Sequence, residues 1–235
     1  MLIYKPEGPL RVNETLESDI MFKLFLRIFV FVFVFSSPPV SHAEEKSATS
    51  ILLFGDSIIA GYGLAKLQKL DHKLETILNE EGYLIKVING GVSGDTTAGG
   101  RNRIKWALEK HNPDIILIAL GGNDLLRGYP PQVIKSNVEA MIKTAREKNV
   151  FVILSAVEAP LNYGVDYQKQ FNAIYTELAE QYSTPLYPFL LKGIFGKTLY
   201  MQKDTIHPNE KGVDEIAKGL ADYFIKNIKN NQDDE

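Results

Sequence analysis

The sequence predicts an α/β domain built on a doubly wound parallel sheet of five strands. Three observations predict it. Short runs that are apolar throughout recur along the chain, as expected of strands buried on both faces. Between them lie segments of 11 to 20 residues that read as helices, several with apolar positions at helical spacing. Glycine, proline and short polar clusters punctuate the boundaries. Strand and helix alternating in this way give a parallel sheet covered on both faces.

The elements follow in order. Ile51 to Phe54 is an apolar run closed by Gly55 and reads as the first strand. Leu67 to Glu81 carries Leu67, Leu70, Leu74, Ile77 and Leu78 at helical spacing and stops at Gly82. Leu84 to Ile88 is the second strand. A glycine-rich loop follows, then a helix over 101–111 ended by Pro113. Ile115 to Leu120 is the third strand. The helix over 132–148 places Val133, Val138, Met141, Ile142 and Ala145 on one face. Val150 to Leu154 is the fourth strand, 166–181 a helix, 185–187 a short fifth strand and 209–228 a final helix. No repeat, low-complexity tract or linker interrupts 44–235, which reads as a single domain.

Residues 1–43 read differently. Lys23 and Arg27 precede eight unbroken apolar residues, Ile28 to Phe35. Ser36, Ser37, Pro38 and Pro39 break the run, and Ser41-His42-Ala43 fits a small-x-small cleavage pattern. That is the layout of a secretory signal peptide cleaved near Ala43, and it predicts a periplasmic or extracellular protein. A spanning helix needs about 20 apolar residues, so no stable membrane anchor is expected from this run. Residues 1–20 are acidic, unlike the start of a signal peptide, which makes Met21 an alternative first residue.

Composition narrows the function. The 235 residues are 45% apolar and 23% charged, which is ordinary globular composition. A formal net charge of −3 offers no basic footprint for nucleic acid. The chain has no cysteine. A disulfide framework, cysteine-held metals, a thiol nucleophile and a cysteine-linked lipid anchor are therefore excluded. Nothing calls for an oligomer, and a monomer is the simplest expectation.

In doubly wound sheets ligands bind outside the carboxyl ends of the strands, so the loops there carry the chemistry. After the first strand, Gly55-Asp56-Ser57 makes a sharp turn able to present a serine hydroxyl. Taken alone, Asp56 or Ser57 could equally cap a turn. After the second, 89–97 holds repeated glycines whose N–H groups can face an anion, with Asp95 or Thr96 as possible caps. After the third, Asn123 in Gly-Gly-Asn-Asp could donate to a developing oxyanion or simply form a turn. Near the C-terminus, His207 stands three residues after Asp204, close enough for the carboxylate to orient the imidazole. Together these loops supply a nucleophile, a base, an orienter and two oxyanion donors, the parts for acyl transfer.

Competing motifs fail. Gly196-Lys197-Thr198 lacks the earlier glycine of a phosphate loop, because position 191 is Leu191. Gly61 and Gly63 lack the third glycine of a dinucleotide fingerprint, because position 66 is Lys66. His-Glu-x-x-His and Gly-x-Ser-x-Gly do not occur.

The four blocks, GDSIIAGYGL at 55–64, NGGVSGDT at 89–96, GGNDLLRG at 121–128 and DTIHPN at 204–209, resemble the SGNH (GDSL) hydrolase superfamily. Within it they resemble the secreted thioesterase/protease/lysophospholipase and arylesterase group, as does APLNYG at 159–164. The likeness runs from about 51 to 225. Two departures are visible: Ile58 stands where the family name has leucine, and 66–72 is more polar than the aromatic-proline segment expected there. The resemblance implies a three-layer, flavodoxin-like sheet of order 2-1-3-4-5, with no metal and no cofactor. It also implies Ser57 as nucleophile, His207 as base and Asp204 as its orienter. The implied oxyanion hole combines the N–H groups of Ser57 and Gly94 with the Asn123 side chain.

The expected reaction is hydrolysis of a carboxylic ester, thioester or lysolipid through an acyl-enzyme. His207 must be neutral to act as base, so activity should fall on acidification. A carbohydrate acetylesterase and a non-catalytic secreted α/β binding module are the alternatives. Leu125, Tyr129, Leu161, Tyr163, Ile194 and Phe195 are the apolar loop residues available to hold an acyl group, or to pack in the core.

Overall fold

The first strand dictates the layering. Ile51, Leu52, Leu53 and Phe54 are fully buried, and successive strand side chains point to opposite faces. Leu52 and Phe54 join one core cluster while Ile51 and Leu53 join the other. Both faces therefore need cover, which is why the strand is apolar throughout.

The computed structural model describes residues 48–233, so the expected export signal at 1–43 lies outside the described residues. The strands are β1 (Thr49–Gly55), β2 (Ile85–Gly91), β3 (Ile115–Ala119), β4 (Phe151–Ser155) and β5 (Leu186–Tyr187). All pair in parallel, in the order β2-β1-β3-β4-β5, as the resemblance implied. The helices are α1 (Ser57–Ala60), α2 (Leu70–Glu80), α3 (Thr97–His111), α4 (Gly122–Leu126), α5 (Pro131–Arg146), α6 (Val165–Gln181) and α7 (Glu210–Asp233). Helices α3, α5 and α6 cover one face through Ile104, Leu108, Val138, Met141, Phe171 and Leu178. Helices α2 and α7 cover the other through Leu70, Leu74, Leu78, Ile216, Leu220 and Phe224. The result is a three-layer α/β domain.

Several boundaries differ from the sequence expectation, each for a local reason. Helix α2 starts at Leu70 rather than 67, because Lys66–Gln68 forms a 3₁₀ turn in which the Ala65 N–H donates to Gln68 Oε1. Leu67 is consequently 63% exposed and contributes nothing to the core. Helix α3 starts four residues earlier than expected, at Thr97, because Thr96 Oγ1 accepts the Gly99 N–H at 3.2 Å. Helix α5 opens with Pro131 in its first turn, where the missing N–H costs nothing. Val133 is 49% exposed, so the buried face runs through Ile134, Val138, Met141, Ile142 and Ala145 instead. Strand β2 continues past Ile88 to Gly91.

That continuation positions the site. Gly55 pairs with Gly91 and with Ala119, so β1, β2 and β3 end at one level. The loops carrying Ser57, Gly94 and Asn123 therefore leave the same edge of the sheet. Gly91 has to be glycine: a Cβ there would lie 2.2 Å from the Ala60 backbone nitrogen. Gly121 has φ of 124° and no room for a Cβ beside the Tyr175 hydroxyl, which donates to the Leu120 carbonyl. Close approach of these strand ends to their neighbours holds the edge in shape.

Candidate active site

Ser57 opens α1 directly after β1. The helix forms because Asp56 caps it, its Oδ1 accepting the Ile58 N–H at 3.1 Å. Both capping and presentation of Ser57, which separate readings of the sequence left open, occur together.

His207 Nε2 lies 2.8 Å from Ser57 Oγ, and His207 Nδ1 lies 2.6 Å from Asp204 Oδ2. A carboxylate only accepts, so Nδ1 carries the ring proton and Nε2 is free to accept from the serine hydroxyl. Asp204 Oδ1 accepts the N–H groups of Ile206 and His207, each at 3.0 Å. These bonds, the His207 N–H first, hold the Asp204 carboxyl down at about 2. The turn between them places Thr205, a β-branched residue, at φ of 62°. That is a strained conformation, held by the Thr205 N–H donating to the Gln202 carbonyl and by the Gln202 N–H donating to the His207 carbonyl.

The donors expected to face an anion come from three segments. Among the described residues, neither the Ser57 nor the Gly94 backbone N–H has an acceptor. Gly94 has φ of 81°, a left-handed conformation that suits glycine. Asn123 lies in the first turn of α4, where its Nδ2 donates to the Asp95 carbonyl at 2.9 Å. Its other N–H faces Asp56 Oδ2 at 3.5 Å, too far for a strong bond.

Beside these groups opens a cleft of about 490 Å³. Leu125, Leu126, Val157, Pro160, Tyr163 and Phe195 give it an apolar wall. Of the residues available for an acyl group, Leu125, Tyr163 and Phe195 line this cleft. Tyr129 and Leu161 do not. Tyr129 instead offers its carbonyl to the Tyr167 hydroxyl at 2.8 Å, and Leu161 is exposed in a short 3₁₀ turn. Ile194 is buried in the core on the α2/α7 side.

Sequence reasoning missed two neighbours, Tyr62 and Gln202, and read a third only as a possible cap. The Tyr62 ring packs against His207 with centroids 4.6 Å apart and the planes tilted by 36°. Gln202 ties the two loops, its Nε2 donating to the carbonyls of Tyr62 and Pro208. Asp56 is the third. Burial pushes its carboxyl up to about 6, against the lowering effects of the Ile58 N–H and His207. The only sequence signal for Tyr62 is its place between Gly61 and Gly63.

Asp56 has a stability consequence. Its folded value, about 6, exceeds the unfolded value of 3.8. The neutral carboxyl is tolerated below pH 4, and the cost of charging it grows as pH rises through 6. A shift of this size corresponds to about 3 kcal/mol, or a melting difference of roughly 6–12 °C for a domain of this size. Asp56→Asn keeps a capping oxygen and removes the charge. The melting temperature of Asp56→Asn minus that of the parent should therefore rise between pH 4 and 7. Parallel melting curves against pH would rule the effect out. Asp204 has the opposite sign: its contribution is present above pH 4 and is lost toward pH 2.

A serine hydroxyl, an imidazole and a carboxylate stand in hydrogen-bonded line at the edge of a doubly wound sheet, beside free backbone donors. Fold and site together define an α/β enzyme of the ester-hydrolase class. Residues 53–214 match the GDSL-like lipase/acylhydrolase family, and the chain belongs to that family. It is 37% identical over 203 residues to an arylesterase of Vibrio mimicus, covering 86% of this chain and 100% of that protein. It is 34% identical over 184 residues to thioesterase 1/protease 1/lysophospholipase L1 of Escherichia coli strain K12, covering 78% and 85%. Among solved structures, the psychrotrophic esterase EstA from a Pseudoalteromonas species, inhibited by monoethylphosphonate, superposes with a TM-score of 0.74 at 33% identity, covering 77% of this chain and 99% of that one. The family resemblance read from the four sequence blocks is thus borne out, and the chain is an ester hydrolase.

Proposed function

We propose that this chain cleaves carboxylic esters and thioesters through an acyl-enzyme on Ser57. The observation that carries the reading is the continuous line from Ser57 Oγ through His207 to Asp204, 2.8 and 2.6 Å long, at the mouth of an apolar cleft. His207 Nε2 takes the hydroxyl proton as Oγ attacks the carbonyl carbon. The carbonyl oxygen becomes an oxyanion held by the Ser57 N–H, the Gly94 N–H and Asn123 Nδ2. His207 then returns its proton to the leaving alcohol or thiol, and the carbon–heteroatom bond breaks. Water, deprotonated by the same imidazole, hydrolyses the acyl-enzyme and frees Ser57. Asp204 keeps the ring in the tautomer the reaction needs.

The acyl group lies against Leu125, Leu126, Val157, Tyr163 and Phe195, an apolar wall that favours a hydrocarbon acyl chain. The relatives named arylesterase and thioesterase/lysophospholipase support small ester, thioester and lysolipid substrates. Residues 1–43 direct export with cleavage near Ala43, placing the enzyme in the periplasm or outside the cell. Among the described residues no helix is long and apolar enough to cross a membrane.

A fluorophosphonate probe should label the parent and leave Ser57→Ala unlabelled. Each methylene buried in the cleft is worth up to about 0.8 kcal/mol. Within a nitrophenyl-ester series, kcat/KM should therefore rise more than about tenfold from the two-carbon to an eight-carbon acyl group. Best activity on the acetyl ester, with acetylated sugars as substrates, would overturn the apolar-acyl reading in favour of a carbohydrate acetylesterase. Failure to label would overturn the serine mechanism. N-terminal sequencing of the secreted product tests export, and a chain starting before residue 30 would sink the cleavage site.

A further inference from the structure

The three proposed oxyanion donors come from three segments far apart in sequence, beyond the last paired residues of their strands. One side chain outside the reacting groups bonds to two of these segments directly and reaches the third through Asp95. Arg103 lies on α3, its side chain only 20% exposed, and its guanidinium rests 3.8 Å above the Phe54 ring. Its Nε donates to Asp95 Oδ2 at 2.7 Å, Nη1 to the Gly90 carbonyl at 2.8 Å and Nη2 to the Gly55 carbonyl at 3.0 Å. Gly55 ends β1 two residues before Ser57. Gly90 is the penultimate residue of β2, and Asp95 directly follows Gly94. Asp95 then passes the constraint on, because its backbone carbonyl accepts Asn123 Nδ2 at 2.9 Å.

We infer that Arg103 is the positioning residue of the oxyanion hole, fixing the Ser57, Gly94 and Asn123 donors at once through Gly55, Gly90 and Asp95. The inference rests on the acyl-enzyme reading above. Arg103 touches no reacting atom. It acts on catalysis because oxyanion donors work only when already aimed at where charge develops, and a misplacement of about 1 Å can cost about a hundredfold. Only a planar fork of donors reaches three acceptors at fixed angles; a lysine ammonium is a single flexible point charge. The stack on Phe54 fixes the plane of the fork.

The test uses the full chain with nitrophenyl butyrate. Arg103→Lys and Arg103→Met should each lower kcat by about tenfold to a hundredfold, with KM within about threefold, because the lost precision is felt in the transition state. Fluorophosphonate labelling of Ser57, which needs the same donors, should slow in parallel. Guanidinium chloride at millimolar concentration should recover part of kcat in Arg103→Ala and do nothing for the parent. Asp95→Asn, which keeps the shape but leaves one acceptor oxygen to serve both the Arg103 Nε–H and the Thr96 N–H, provides a milder variant should the arginine substitutions fail to fold. It should lose several-fold in kcat at unchanged KM.

Unchanged kcat in folded Arg103→Lys and Asp95→Asn would overturn the inference, as would a loss confined to KM. So would a loss of kcat in Arg103→Ala that guanidinium does not relieve. Ser57→Ala, run alongside, separates the two levels. If Ser57→Ala keeps its activity, the acyl-enzyme reading has failed; if it is inactive while the arginine variants are normal, only the positioning role has.

Discussion

Ser57→Ala should lose roughly 10⁴-fold or more in kcat while remaining folded. The fold is expected to survive because Ser57 contributes only its hydroxyl to the line. The cap of α1 is made by Asp56, whose Oδ1 still accepts the Ile58 N–H, and alanine is a good helix former. No thiol can stand in as nucleophile, since the chain contains no cysteine. His207→Ala should cost about as much, because an unassisted serine hydroxyl is a weak nucleophile. Residues acting as one unit are not additive, so the double variant should be no worse than either single one. The residual rate would come from the oxyanion donors and the cleft, which both substitutions leave in place. Circular dichroism with nitrophenyl-ester kinetics checks all three proteins. Near-parent turnover in a folded Ser57→Ala protein would refute the assignment, and multiplicative losses would mean that the two groups do not form one unit.

The fold was readable where burial is two-sided. β1 and β3 announce themselves because a strand covered on both faces must be apolar at every position. The tail of β2 gives no such signal: Asn89-Gly90-Gly91 looks like loop, yet Gly55 and Gly91 pair because the strand ends must pack closely. Helix α3 hid its first turn behind Gly99 and Gly100, poor helix formers. Gly100 is there because a Cβ would meet Leu120 Cδ1 at 2.3 Å. Helices α1 and α4 have four and five residues, too few to show a period.

The site divides along the same line. Ser57, Asn123 and the Asp204–His207 pair stand immediately after strands or inside one short turn, so local sequence and the position rule for parallel sheets expose them, whereas Gly94 is singled out from its glycine-rich loop only by the family resemblance. Tyr62, Arg103 and the wall of the cleft depend on contacts between residues far apart in sequence. An apolar loop residue reads the same whether it faces cleft, solvent or core, which is why Phe195, Leu161 and Ile194 ended in three different places. Arg103 carries no local cue, since its partners lie 8, 13 and 48 residues away.

Asn123→Ala should lose about 10²–10³ in kcat, equivalent to roughly 3–4 kcal/mol, with KM nearly unchanged. The split follows from the two amide N–H groups. One is committed to the Asp95 carbonyl at 2.9 Å and fixes the side chain. The other points toward Asp56 at 3.5 Å, a weak contact that can be exchanged for a full negative charge when the tetrahedral intermediate forms. An interaction that is poor in the ground state and strong in the transition state raises kcat rather than affinity. Asn123→Asp should be worse than Asn123→Ala. It replaces the donor with an acceptor and sets a second carboxylate beside Asp56, which is already buried and pushed up to about 6. Steady-state kinetics of both variants on one nitrophenyl ester decide the matter. A raised KM with kcat intact would assign Asn123 to substrate binding instead. Equal activity of the two variants would show that the amide does not face the developing charge.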